Sequence, residues 1–90
     1  VDFIFILMKI EVITPDKKVL SGDVDSVTLP GAMGSFQVLR NHADLISALE
    51  KGPITVKSTA GSTQTVTISG GVVEVLENKI IVLAESVIED

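Results

Sequence analysis

The 90-residue chain has no cysteine, no tryptophan, no tyrosine and a single histidine, and its longest apolar run is six residues. Each absence removes a class of function. Without cysteine there is no disulfide framework and no thiolate metal site, and a reducing compartment is the easier reading. One histidine excludes a His-rich metal centre. With no Trp or Tyr, the exposed aromatic platforms of a free-standing ligand-binding sandwich, such as a carbohydrate-binding module, are missing. Positive charge is also scarce: seven Lys and Arg face twelve Asp and Glu, for a net charge of −5. Phosphate binding rests on clustered cations, so nucleic acid is disfavoured, and an anionic lipid surface is disfavoured for the same reason.

What the chain does have is Val, Ile and Leu. Apolar residues make up 46% of the sequence while aromatics are only Phe3, Phe5 and Phe36. Burial must come from β-branched and aliphatic side chains packed between thin layers, which favours strands. The apolar run at residues 3–8 is far short of the roughly 20 residues a membrane-spanning helix needs. Nor does it read as a secretory signal, because Val1-Asp2 carries no positive charge and no small-residue cleavage site follows. Met8 reads as a natural start, with residues 1–7 a leader or extension. If exposed, that segment is β-prone and would form an adhesive edge.

Along the chain, Lys9-Ile10-Glu11-Val12 alternates as a half-buried strand does, and Pro15-Asp16 breaks it. Val19 and Leu20 start a short strand and Gly22 punctuates it. Val24, Val27 and Leu29 then follow with an uneven spacing that predicts a bulge. Pro30-Gly31 closes that strand, and Ser35 begins another. Leu45-Ile46-Ser47-Ala48-Leu49 fits either a strand or one helical turn. Gly52-Pro53 opens the clearest hairpin, with Ile54 and Val56 facing inward against Val66 and Ile68. Ile80-Ile81-Val82-Leu83 is apolar on both faces, the pattern of a strand that lies centrally or faces a partner. Eight to ten short strands at intervals of about 8–12 residues indicate an antiparallel sandwich or barrel.

Catalytic and ligand-binding patterns are thin. His42, Asp44 and Ser47 contain the residue types of a hydrolase triad, but no Gly-x-Ser-x-Gly elbow presents the serine. Asp23 and Asp25 are a lone carboxylate pair without the oxygen count that calcium needs. Gly31-Ala32-Met33-Gly34 has the form of an RNA-clamping Gly-x-x-Gly loop, yet it joins strands instead of helices and reads better as a turn needing positive φ. Ser69-Gly70-Gly71 precedes no helix that would make it an anion site, and reads as a turn or bulge where backbone passes close to backbone. Lys17 and Lys18 read as solvated turn residues. No metal site is expected.

Taken in order, Thr14-Pro15, Gly22, Leu29-Pro30-Gly31, Gly34, Phe36, Val38-Leu39, His42-Ala43, Leu45, Ser69-Gly70-Gly71-Val72-Val73-Glu74-Val75 and Val82-Leu83-Ala84-Glu85-Ser86 resemble the epsilon subunit of F-type ATP synthases, the equivalent of the mitochondrial delta subunit. The resemblance departs from the usual pattern at Gln37, Arg40 and Asp44, which stand where Gly, Pro and Pro are common, and at Ser35, where an acidic residue is usual. It implies an all-β fold, a flattened antiparallel β-sandwich of about ten short strands over residues 8–87. Residues 88–90 would be a tail, without the helical hairpin that many relatives carry next. It also implies a noncatalytic central-stalk subunit that joins the gamma subunit to the c-subunit ring of a proton-translocating enzyme, so that rotation is coupled to ATP synthesis. No cofactor, no nucleic acid and no small-molecule substrate follow from that role. The membrane would be met only through the complex, at the cytoplasmic face of the bacterial inner membrane. By residue match, Gly34, Ser35, Phe36, Arg40, Asn41 and His42 would face the ring, and Thr14, Pro15, Leu45 and Ser47 would face gamma. Gly31, Gly70 and Gly71 would be structural turns.

Overall fold

Alternation of apolar and polar side chains organises the computed structural model, which describes residues 7–88. Residues 1–6, 89 and 90, which hold all but the last residue of the expected leader and the end of the expected tail, lie outside them. Eight strands follow in chain order: β1 (Met8–Ile13), β2 (Lys18–Leu29), β3 (Phe36–Leu39), β4 (Leu45–Leu49), β5 (Gly52–Ser58), β6 (Thr63–Ile68), β7 (Gly71–Leu76) and β8 (Lys79–Ala84). No helix occurs among the described residues. The five residues of β4, compatible with either state in sequence, form a strand because they pair along their whole length with β7.

β2 is one reason the strands among the described residues number eight and not about ten. It is a single 12-residue strand where the sequence suggested two. Gly22 does not interrupt it: Gly22 pairs with Ile10, and the ladder to β1 continues on both sides. A glycine lacks a side chain but keeps its peptide hydrogen bonds. The expected bulge is present, since pairing with β5 jumps from Val24 to Ser26 and leaves Asp25 as the extra residue. Before it β2 pairs with β1 and after it with β3, while β5 pairs with β2 on both sides of the bulge. A bulge bends a strand, and this one carries the chain from one layer into the other.

The strand order is β4-β7-β8-β1-β2-β5-β6, with β3 also on β2. Layer one is β4, β7, β8, β1 and the first part of β2; layer two is the rest of β2 with β3, β5 and β6. After β8 the chain crosses to layer two, where Ser69 N–H donates to Ser86 O at 3.0 Å and Ile88 N–H donates to Thr67 O at 2.8 Å. All pairs are antiparallel except β1 with β8, which run parallel. Among the described residues the inner faces share one core of sixteen buried apolar side chains, with no buried polar residue. None of the sixteen is aromatic, and Phe36 packs against them from the periphery.

Gly71 shows how tightly the backbone passes at the start of β7. A Cβ there would lie 2.2 Å from Leu83 O and 3.0 Å from Ala84 Cα, both of them backbone atoms that cannot swing aside. Gly71→Ala should therefore cost about 1–3 kcal/mol through forced backbone shifts. In thermal denaturation this should lower Tm by at least about 5 °C, whereas Thr65→Ala on the exposed side of β6 should leave Tm nearly unchanged.

Candidate interaction surfaces

The two layers present very different outer faces, and the ladder registers say which residues share each one. On layer two, the rows Leu39–Ser26–Lys57–Thr63 and Gln37–Thr28–Thr55–Thr65 point outward. That face is hydroxyls, one amide and one lysine with a single apolar side chain in the two rows. On layer one, the outward rows are Ile46–Glu74–Ile81–Glu11 and Ala48–Val72–Leu83–Ile13. Here Ile46 is 72% exposed, Leu83 56%, Leu76 48% and Val72 43%. Contiguous exposed apolar side chains of this kind mark a contact surface.

Two hollows shape this apolar face. One of about 360 Å³ is lined by Asp44, Leu45, Ile46, Glu74, Val75 and Leu76. The other, about 180 Å³, is lined by Ile46, Val72, Glu74, Ile81 and Leu83. Ile46 and Glu74 line both and stand between them.

The sequence-derived residues fall at several places on the sandwich. On β4, Leu45 and Ser47 are half-buried on the inner side, and the residues turned outward are Ile46 and Ala48. The ring-facing set is divided between two ends of the sandwich. Gly34, Ser35 and Phe36 lie beside the row of Gly31, Leu49, Gly71 and Ala84, where Gly31 bridges to Leu49 and Ala32 N–H donates to Ala48 O at 3.0 Å. Thr14 and Pro15 belong to this same end, in the turn after β1. Arg40, Asn41 and His42 lie at the opposite end, beside the turn between β7 and β8. The four residues of β3, from Phe36 to Leu39, run from one group to the other.

Each end is fixed by its own backbone chemistry. In the 30–35 loop, positive φ falls on Gly34 (φ 124°), while Gly31 is constrained by space: a Cβ on it would lie 2.6 Å from Gly34 O. Met33 at the loop tip is fully exposed. At the other end Asn41, Glu77 and Asn78 adopt positive φ without being glycine. Asn41 N–H donates to Asn78 Oδ1 at 2.6 Å, Asn78 Nδ2 donates to Asn41 Oδ1 at 3.2 Å, and Glu77 N–H donates to Asp44 Oδ1 at 3.4 Å. Arg40 pairs with the bulge carboxylate of Asp25. The 40–44 loop is thereby clasped to β2 and to the β7–β8 turn.

No catalytic geometry assembles there. His42 Nδ1 lies 2.8 Å from Ala43 O, Ser47 Oγ donates to Ala48 O at 3.3 Å, and Asp44 accepts from backbone, so the three triad-type residues bond to the main chain and not to one another. Asp23 and Asp25 each face a cation, Lys9 at 3.3 Å and Arg40, and do not converge on a shared site. Among the described residues no three His, Cys, Asp or Glu side chains cluster as metal ligands.

Sequence reasoning missed Ile46, Val72 and Leu76 as surface residues. It did flag residues 80–83, whose two-sided apolar pattern fits a strand that lies centrally in the sheet. β8 lies inside the sheet and turns Ile81 and Leu83 outward.

Residues 7–90 match the family model described as the ATP synthase delta/epsilon chain β-sandwich domain. The chain is 45% identical over 82 residues to the ATP synthase epsilon chain of Wolinella succinogenes, covering 91% of this chain and 63% of that relative. It is 42% identical to the epsilon chain of Chlorobaculum tepidum, covering 87% of this chain and 89% of the relative. The chain thus spans about three-fifths of the length of relatives such as the Wolinella protein. Among solved structures, its fold is similar to a chain in the Euglena gracilis mitochondrial ATP synthase, described as OSCP/F1/c-ring. That match has a TM-score of 0.87 at 20% identity and covers 97% of this chain and 56% of the other. A chain in the Tetrahymena thermophila mitochondrial ATP synthase central stalk and c-ring gives a TM-score of 0.79 at 19% identity, covering 91% and 66%.

The amide clasp is testable without any partner. Asn78→Gly keeps the positive φ but removes the side chain that both accepts from and donates to Asn41. About 1 kcal/mol of stability should be lost, seen as a Tm fall of about 4–8 °C, and amide exchange at Asn41 should accelerate. Unchanged exchange at Asn41 would show that the clasp does not hold the loop.

Proposed function

The chain belongs to the family of ATP synthase delta/epsilon chain β-sandwich domains, and we propose that it works as a noncatalytic part of the rotor, joining the gamma subunit to the c-subunit ring. The observation that carries this reading is the asymmetry of the two outer faces. A sandwich whose work is contact with a protein needs one face that gains by being covered, and layer one supplies it through Ile46, Val72, Ile81 and Leu83. Covering half-exposed aliphatic side chains contributes on the order of 1 kcal/mol each. The hydroxyl-rich face of layer two gains nothing comparable and stays in water.

On this reading gamma lies across β4, β7 and β8, and the ring meets the end formed by residues 30–36. Support for that placement comes from the loop itself. Met33 projects fully into solvent, and Ala32 is hydrogen-bonded to Ala48 on the outer rim of the apolar face, so the two contacts meet at one edge. Gly34 and Ser35 are exposed there, while Phe36 supports the loop from beneath. Thr14 and Pro15 border the same end. Arg40, Asn41 and His42 border the gamma face at its far end, next to the larger hollow. The role requires no cofactor and no nucleic acid, and places the chain at the cytoplasmic face of the bacterial membrane, held there by the complex.

Gel filtration of the chain mixed with the gamma subunit of the same organism's ATP synthase should give one shared peak. Ile46→Asp and Leu83→Asp should each abolish that peak while the circular dichroism spectrum and Tm stay close to those of the unaltered chain. Thr65→Asp on the opposite face should leave it intact. Separate peaks for the unaltered chain and gamma would overturn the proposal.

A further inference from the structure

The outward carboxylates of layer one are not equivalent. Glu11 has Lys18 at 3.6 Å, and Asp23, on the same side of the β1–β2 ladder as Lys9, has that ammonium at 3.3 Å. Glu74 forms no ion pair among the described residues, although Lys79 lies diagonal to it across the β7–β8 ladder. It sits instead in the middle of the apolar face. Ile46 and Ile81 flank it across the ladders, Val72 and Leu76 flank it along β7, and it lines both hollows.

While the face is open, water solvates this carboxylate and its position costs little. Covering the face changes that. A partner that buries the four surrounding aliphatic side chains also strips water from Glu74, and an unpaired charge inside an apolar contact opposes binding strongly. An apolar partner surface alone therefore fits the rows of this face but not its centre.

We propose that Glu74 selects the partner of this face by pairing with a lysine or arginine side chain presented between two apolar side chains. The inference rests on the reading that gamma covers layer one, and it adds the chemistry of the contact. The two flanking side chains enter the hollows on either side of Ile46, and the cation meets the carboxylate between them. Because alternate residues of a strand are roughly 7 Å apart, the three contacts fall within a patch that one short segment spans. The pair excludes segments with an acidic or purely apolar centre, so it contributes specificity beyond what the surrounding burial provides.

Titration calorimetry of the chain against gamma at low salt tests this. Glu74→Gln, nearly the same shape without the charge, should weaken binding by about 30-fold or more, and Glu74→Arg should abolish it. With Glu74→Arg, changing the Lys and Arg residues of gamma one at a time to Glu should restore binding at one position. The inference is overturned if Glu74→Gln binds as tightly as the unaltered chain while Ile46→Asp and Leu83→Asp do not bind; the gamma reading then survives. If Ile46→Asp and Leu83→Asp also bind normally, the gamma reading itself fails.

Discussion

The bend of β2 at Asp25 is the constraint on which the rest of this molecule depends. The chain has almost no aromatic residues with which to fill a thick interior, so its Val, Ile and Leu side chains must be covered on the inner face by a second layer close at hand. One strand turning a corner provides that layer without a break in hydrogen bonding. Val24 ends the pairing with β1, Ser26 begins the pairing with β3, and the single extra residue between them reorients the strand. The bulge residue also has an outward task. Its carboxylate holds Arg40, so the corner of the sandwich and the loop carrying His42 are one mechanical unit. An ion pair and a reciprocal amide clasp between Asn41 and Asn78 hold this loop.

Folding one sheet back on itself makes two outer faces, and their difference gives the molecule a direction. Layer two shows water mainly Thr and Ser with Gln37 and Lys57; layer one shows it aliphatic side chains around Glu74, which has no ion pair among the described residues. The proposed rotor role calls for such polarity, because a part that bound gamma through either face would have no fixed orientation toward the ring. The loop of residues 30–35 adds the second direction. It is anchored to β4 by the Gly31 bridge and by the Ala32 hydrogen bond, so its exposed tip keeps a fixed relation to the apolar face.

Much of the fold was legible because strands announce themselves locally. Lys9-Ile10-Glu11-Val12 and the Gly52-Pro53 hairpin show the period of two, and the uneven Val24, Val27, Leu29 spacing showed the bulge. Gly22 misled because punctuation by glycine and continuation through glycine look the same in sequence; only the partner strand distinguishes them. The parallel pairing of β1 with β8 left no trace either, since the two are separated by most of the chain. The candidate surface was harder still. Leu45 and Ser47 were chosen over Ile46 because motif matching does not tell the two sides of a five-residue strand apart.

The sequence by itself determined the class of structure, the family and the bulge, because composition, alternation and motif order are properties of neighbours along the chain. Tertiary structure alone decided which of two apolar sets is core and which is surface, that residues 34–36 and 40–42 occupy opposite ends, and that Glu74 stands among Ile46, Val72, Leu76 and Ile81. The physical reason is that a side chain's environment is set by the strand beside it. Here those strands are joined by pairings such as β4 with β7 and β1 with β8, which connect residues far apart in the chain.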